Sequence, residues 1–248
     1  TSLSLDSNDI PHIVAIYGYR ILGTDYTEIF YTNRIGGSWK PEISLTGGEI
    51  AGNWDFRIFL SIDMDNLPFV MYWGDVDYHV CIGDANDATA FTEHTIAVAS
   101  FVFCAGPSIA IDTDGNHFMT NYDNSVSTIY LWKHLRADPW TTWAVYSSVF
   151  ATEIYDVSIA IDGLNVYCFY AVDYGAGFRN GISTYIGGVW THAIIGNDNY
   201  LFMRAKWANW IDRDSTGANM TLTGGRIEID YVWQDSYAGY YFDSYSLT

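Results

Sequence analysis

Ser108-Ile109-Ala110-Ile111-Asp112-Thr113-Asp114-Gly115-Asn116-His117-Phe118-Met119-Thr120-Asn121-Tyr122 reads as a strand, a tight turn and a second strand. Asp, Gly and Asn are the residues that open turns and accept positive φ, and the apolar runs on either side carry no helical period. The same text recurs along the chain. Leu3-Ser4-Leu5-Asp6, Leu60-Ser61-Ile62-Asp63 and Ile159-Ala160-Ile161-Asp162 repeat the first strand, with Asn209-Trp210-Ile211-Asp212 as a looser fifth copy. The successive Asp residues lie 57, 49, 50 and 50 positions apart (6, 63, 112, 162 and 212). A period near 50 marks a solenoid, a propeller or an array.

Each copy continues alike. After the turn come apolar strands ending in aromatics: Pro11 to Tyr17, Pro68 to Trp73, His117 to Tyr122 and Val166 to Tyr170. Third strands follow at Glu28 to Thr32, Tyr78 to Ile82, Thr128 to Trp132 and Gly181 to Tyr185. A fourth is expected at an aromatic after a turn, as in Gly36-Gly37-Ser38-Trp39 and Gly187-Gly188-Val189-Trp190. Ala88-Thr89-Ala90-Phe91 and Ala137-Asp138-Pro139-Trp140 stand in the same place. A four-stranded sheet cannot bury both of its faces alone, and radial stacking does this for it. The expected fold is therefore all-β: a single five-bladed β-propeller of four-stranded antiparallel blades with almost no helix. Its blades fall at about 2–49, 58–98, 106–150, 157–197 and 203–248. Small residues at Ser4, Ser61, Ala110 and Ala160 suit strands that converge on an axis, and fourth-strand aromatics suit the wide periphery. The last unit departs from the pattern. Its first strand is read at Ala205 to Asp212, its second at Arg226 to Gln234 and its third at Tyr240 to Leu247, and a fourth is missing. That leaves an edge open to self-association or a neighbouring domain.

Composition narrows the function. The 248 residues carry 11 Lys+Arg against 29 Asp+Glu, a formal charge of -18. Nucleic-acid binding needs clustered cations, so that class is excluded, and anionic lipid is disfavoured. No apolar run is long enough to insert in a bilayer as a helix. Glu stands at only six positions, so the acid excess is nearly all Asp, much of it in turns. Cys81, Cys104 and Cys168 are three and widely spaced, which makes no metal knuckle. Cys81 and Cys168 read as buried thiols, with a single bridge as the alternative. No signal peptide is visible; either one was removed, or the chain is a segment of something longer. The expected location is extracellular, or a cell or virion surface.

The pattern of Ser4 to Tyr17 with Gly36 to Trp39, and of Ser158 to Tyr170 with Gly187 to Trp190, resembles the repeats of sialidase-like and related bacterial or viral propeller proteins. The resemblance covers nearly the whole chain and implies architecture rather than activity. The sialidase Asp-box, Ser-x-Asp-x-Gly-x-x-Trp, is absent from every unit. Sialidases usually have six blades, one more than this repeat count. The length is similar to that of five-bladed lectins of the tachylectin type, without their characteristic motifs.

Candidate site residues follow from the repeat. Asp112, Asp114 and Asn116 look like the start of a calcium loop, and equally like a hairpin turn that each unit needs. No other cofactor is implied. Second-strand ends pair an aromatic with an acid: Trp73 with Asp75, Tyr122 with Asp123, Tyr170 with Asp173, and Trp233 with Asp235. These are either turn acids or a rim where a sugar stacks on rings and donates its hydroxyls to carboxylates. Trp54, Trp207 and Trp210 break the small-residue rule near the axis, as core filling or as a further platform. Glu93, Glu153 and Glu228 are the irregular carboxylates available to a glycosidase. His12 and His117 are read as sharing one repeat position. The expected function is a non-catalytic module that recognises a glycan or another surface ligand. The alternatives are a polysaccharide-acting hydrolase or lyase, and a structural subunit of a virion, appendage or surface layer.

Overall fold

The computed structural model describes residues 2–21, 24–46, 50–51, 58–73, 77–96, 104–123, 127–149, 154–162, 165–173, 178–195, 218–223, 226–235 and 239–247. These form strands and turns, with one 3₁₀ turn at Ile35–Gly37 and no α-helix among them. The fold is all-β.

Two compact units divide the chain. The first comprises residues 1–101 with 139–142, and the second comprises 102–138 with 143–248. In the first unit, one sheet runs β1 (Ser2–Leu5), β2 (Pro11–Ile21), β3 (Thr24–Asn33) and β4 (Ile43–Ser44), with β5 (Ile50–Ala51) also paired to β3. Its second sheet is β6 (Ile58–Ile62), β7 (Pro68–Trp73), β8 (Tyr78–Gly83) and β9 (Phe91–Ile96). The second unit holds β10 (Cys104–Ile111) to β13 (Ala144–Val149) through β11 (His117–Asp123) and β12 (Thr128–His134). It also holds β14 (Ile154–Asp162), β15 (Asn165–Asp173), β16 (Phe178–Ile186) and β17 (Val189–Ile195). A three-stranded sheet closes the list: β18 (Ala218–Thr223), β19 (Arg226–Asp235) and β20 (Gly239–Leu247). Every pairing is antiparallel between neighbours in sequence, apart from the extra β3–β5 pair.

The recurrent Asp builds the first turn of each of the first three sheets. Asp6 Oδ1 accepts the N–H groups of Asn8 and Ile10, Asp63 Oδ1 those of Asp65 and Leu67, and Asp112 Oδ1 those of Asp114 and Asn116. The residue three places on, Asp9, Asn66 or Gly115, takes positive φ. Only Gly, Asn and Asp tolerate that conformation readily, which is why the turn text repeats. The fourth sheet shortens the device, pairing Asp162 directly with Asn165.

Among the described residues, alternation buries an apolar core in each unit. Val14, Ile29 and Tyr31 of the first sheet pack with Ile58, Leu60, Val70, Tyr72 and Cys81 of the second. In the second unit Phe118, Tyr122, Ile129 and Leu131 pack with Val157, Ile159, Val166, Cys168 and Tyr170. Cys81 and Cys168 are free, fully buried thiols, as their apolar settings predict. Burial pushes the Cys81 thiol up to about 12, with the Glu93 charge adding to the rise, and burial alone pushes Cys168 up strongly.

Three expectations are corrected, and a fourth is corrected in its pairing only. The strand paired to Arg226–Asp235 is Ala218–Thr223. Residues 205–212, read as that unit's first strand, lie outside the described residues. The missed signal is Gly224-Gly225 between two alternating runs, a hairpin dipeptide. In the first sheet Trp39 opens no strand; it is half exposed, and the fourth strand is the two-residue Ile43–Ser44. In the third sheet the fourth strand starts at Ala144 instead of Trp140. Trp140 packs on Phe69 at 5.4 Å and His94 at 6.1 Å. Finally, His12 faces Ser4 across the ladder, two residues before its Asp, whereas His117 faces Ile111, one residue before its Asp. A one-residue offset in a strand turns a side chain to the opposite face, so the two histidines are not equivalent.

Candidate functional site: an aromatic ladder on the long first hairpin

The β2–β3 hairpin is the longest described pair of the first unit, at 11 and 10 residues against 6 and 6 for β7 and β8. Its register carries Tyr17 opposite Glu28 and Tyr19 opposite Tyr26. Residues two apart share a face and direct partners do too, so these four side chains stand on one face. Tyr17 and Tyr19 lie 5.5 Å apart between ring centroids. Tyr19 stacks on Tyr26 at 5.7 Å with 21° between planes. Tyr17 is 60% exposed. The opposite face, with Val14, Ile16, Ile29 and Tyr31, supplies the core. Three rings and a carboxylate thus sit at a second-strand end, a set of groups able to stack on an apolar ring face and to accept hydroxyl donors. The sequence reading stopped this strand at Tyr17 and missed Tyr19 and Tyr26; the signal was the alternation of Tyr17 and Tyr19 before Gly23-Thr24-Asp25 and of Tyr26 and Glu28 after it.

The other second-strand ends look different. Tyr122 and Tyr170 are buried in the core of the second unit. Tyr170 lies over Gly181, its cross-strand partner, so closely that a Cβ there would meet the ring at 2.4 Å. Asp123 is buried as well, opposite Cys104 and Thr128. These three therefore present no open rim. Trp73 ends β7 opposite Tyr78, and Asp173 ends β15 opposite Phe178. Trp233 and Asp235 lie on β19 opposite Tyr241 and Gly239. Asp75, Trp54, Trp207, Trp210 and Glu153 lie outside the described residues.

Of the irregular carboxylates, Glu228 sits on β19 between Thr221 and Ser246. Glu93 is on β9, the outermost strand of its sheet. Its Oε1 accepts the Tyr72 hydroxyl at 2.8 Å and the His79 Nδ1–H at 2.7 Å, with Tyr72 and His79 stacked at 5.0 Å. Burial, then the bond to Glu93, pushes the Tyr72 phenol strongly up.

A second polar cluster is buried inside the first unit. His12 Nδ1 bonds the Tyr31 hydroxyl at 2.6 Å, and its Nε2 lies 3.8 Å from Asp6 Oδ2. Asn33 Nδ2 donates to the same phenol, and Asn86 Nδ2 donates to Asp6. Burial holds the His12 imidazole below its ordinary value against the pull of Asp6. For Asp6, burial pushes upward, and donors from Ile10, Asn8 and Asn86 outweigh it and leave the carboxyl below its usual range. Both oxygens of Asp112 are likewise engaged, Oδ2 by the Asn116 side chain. Turn chemistry accounts for Asp112 and Asn116. Among the described residues no group of three or more His, Cys, Asp or Glu is placed to hold a metal.

No family model matches the chain, and no curated protein matches it in sequence. Solved structures do resemble it in three dimensions. A Dyadobacter fermentans protein of unknown function superposes with a TM-score of 0.62 at 10% identity, over 99% of this chain and 74% of its own. The NanB sialidase of Streptococcus pneumoniae, as a K499G mutant, gives 0.56 at 13% identity over 88% of this chain. An exo-β-1,3-galactanase from Phanerochaete chrysosporium gives 0.53 at 10% identity over 94% of this chain. The chain spans 34% of the sialidase's length and 60% of the galactanase's. At such identities the likeness shows the fold alone, a propeller-type all-β architecture that includes the sialidase-like resemblance read from the repeats.

Proposed function

We propose that this chain is a recognition module outside the cytoplasm that binds a glycan without cleaving it. The observation that carries this reading is the Tyr17–Tyr19–Tyr26 ladder with Glu28 on one face of the first hairpin, Tyr17 being largely exposed. Solvated rings in register with a carboxylate are what a sugar ring's apolar face and hydroxyl rim require. The likeness to proteins described as a sialidase and an exo-β-1,3-galactanase supports a carbohydrate ligand. Among the described residues no helix is long and apolar enough to cross a membrane. The outer strand of the three-stranded last sheet, β20, is the edge that self-association would use.

Calorimetric titration with β-1,3-galactotriose, arabinobiose and a sialylated oligosaccharide tests the reading. Binding of one of them, lost in both Tyr17→Ala and Tyr26→Ala and with the sugar recovered intact, supports it. Binding that survives both substitutions, or no binding at millimolar sugar, overturns it.

The enzymatic reading rests on Glu93, whose carboxylate is oriented by Tyr72 and His79. A hydrolase or lyase would cleave one of the same sugars and lose turnover in Glu93→Gln.

A further inference from the structure

The outer strands of the third and fourth sheets bring two serines onto one histidine. Ser148 of β13 and His192 of β17 are 44 residues apart, yet Ser148 Oγ lies 2.8 Å from His192 Nε2. On the other side of the ring, Ser183 Oγ of β16 lies 2.7 Å from His192 Nδ1. Ser183 and His192 are direct cross-strand partners, and Ser183 is fully buried. Ser148 is half exposed and His192 is exposed.

We propose that Ser148 is a nucleophile activated by His192, with Ser183 as the positioning residue, and that the site takes carboxylic esters carrying an aryl or extended apolar group. A serine hydroxyl is a weak nucleophile until a base accepts its proton, and the arrangement that provides this is nucleophile to base, base to orienter. Either serine hydroxyl can donate to or accept from the ring; the proposed tautomer is the one in which Nδ1–H donates to Ser183 Oγ and the Nε2 lone pair faces Ser148. An imidazole at its ordinary value is already mostly neutral at pH 7 and able to accept a proton, and the partial burial of the His192 ring, which carries the Ser183 contact, acts in the same direction.

Substrate class comes from the neighbouring row. Two positions along the same strands stand Tyr146, Tyr185 and Trp190, with ring centroids 5.0 and 5.1 Å apart, and Trp190 stacks beside His192 at 6.2 Å. Tyr185 and Trp190 are cross-strand partners like Ser183 and His192. A polar row thus runs alongside an aromatic one. All three rings are half-buried against the unit's core, and a flat apolar group lying on their remaining exposed parts brings an attached carbonyl to Ser148. Among the described residues β13 pairs only with β12, so its outer edge offers backbone N–H groups for a developing oxyanion.

The chemistry balances without a further reagent. Ser148 Oγ bonds to the ester carbonyl carbon as its proton passes to His192 Nε2. The tetrahedral centre collapses, the C–O bond to the leaving alcohol breaks, and Nε2 returns the proton to that oxygen. Water then repeats the sequence on the acyl-serine, releasing the acid and restoring the hydroxyl.

An alkyl fluorophosphonate and p-nitrophenyl butyrate are the probes, applied to the full chain. The fluorophosphonate should add to the peptide containing Ser148, found by mass spectrometry, and Ser148→Ala should abolish the adduct. His192→Gln should slow both labelling and ester turnover at least about a hundredfold. Ser183→Ala should lower kcat more than it raises KM, with recovery in Ser183→Thr, which a merely structural role would not produce. Near-UV circular dichroism checks each variant's fold. Where Ser148→Ala is misfolded, Ser148→Cys replaces it, and iodoacetamide alkylation of that thiol should slow when His192→Gln is added. No adduct at Ser148 in the wild-type chain, or labelling of equal rate in His192→Gln, overturns the proposal.

Discussion

The Ser2 hydroxyl accepts the backbone N–H of Leu60 at 3.1 Å, tying the first strand of the first sheet to that of the second. The second unit repeats the device 106 positions on, where Ser108 accepts the N–H of Ile159 at 2.9 Å. Both serines stand four residues before the recurrent Asp, and both amides three residues before the next one. The bond crosses between sheets that share no strand ladder, so the repeat spacing of about 50 residues is built into it. At the same place in the second sheet stands Phe59, which has no acceptor to offer.

Ser108→Ala leaves the Ile159 amide buried without its acceptor, and such a group costs about 1–3 kcal/mol. The urea midpoint should fall accordingly, and Ser2→Ala should act the same way at Leu60. An unchanged midpoint in both variants would show that the hydroxyls are not needed there.

Gly181 has no room for a methyl group, because the Tyr170 ring covers it. Gly181→Ala should destabilise by about 1–3 kcal/mol through overpacking, and Tyr170→Leu in the same chain should recover part of that loss. The thermal midpoints of the two singles and the double give the coupling; simple additivity would mean that the ring and the glycine do not interact.

Stability should decline on acidification well before the carboxylates titrate. Burial, with the neighbouring His134 adding to it, drives the His117 imidazole down to about 3, while Asp112 and the Gly115 backbone pull the other way. The unfolded chain binds this proton near pH 6.5 and the folded chain does not. The contribution is therefore whole above pH 6.5 and is lost as pH falls from there toward 3. His12 acts in the same sense. Asp6, lowered from 3.8, adds a separate loss below that value. Denaturation midpoints between pH 7 and 4 should fall in the wild type and fall less steeply in His117→Leu.

Cys81 and Cys168 should resist iodoacetamide at pH 8 in the folded protein and react fully in guanidinium. Both thiols are buried, and burial raises them far above the solution pH. Peptide mass spectrometry resolves them; labelling of either in the native state would contradict the packing.

The strands and first turns were readable in the sequence because their causes are local. An Asp that accepts the amides two and four residues on, and a residue that tolerates positive φ, announce a hairpin wherever they occur. The fourth strands were less readable. Trp39 and Trp140 carry the right residue type after the right turn, yet whether such a ring begins a strand depends on what lies against it. Trp140 rests instead on Phe69 and His94.

Sequence alone settled the all-β repeat, its period and the turn chemistry, since these need only neighbours in the chain. Tertiary structure decided which rings are open. Tyr122 and Tyr170 look like Tyr17 in sequence, but they pack into a core while Tyr17 faces solvent. It also decided that Ser148 meets His192, because the two stand on the outer strands of different sheets, 44 residues apart. Alternation along a strand assigns a side chain to a face; what covers that face is set by residues some 50 positions away.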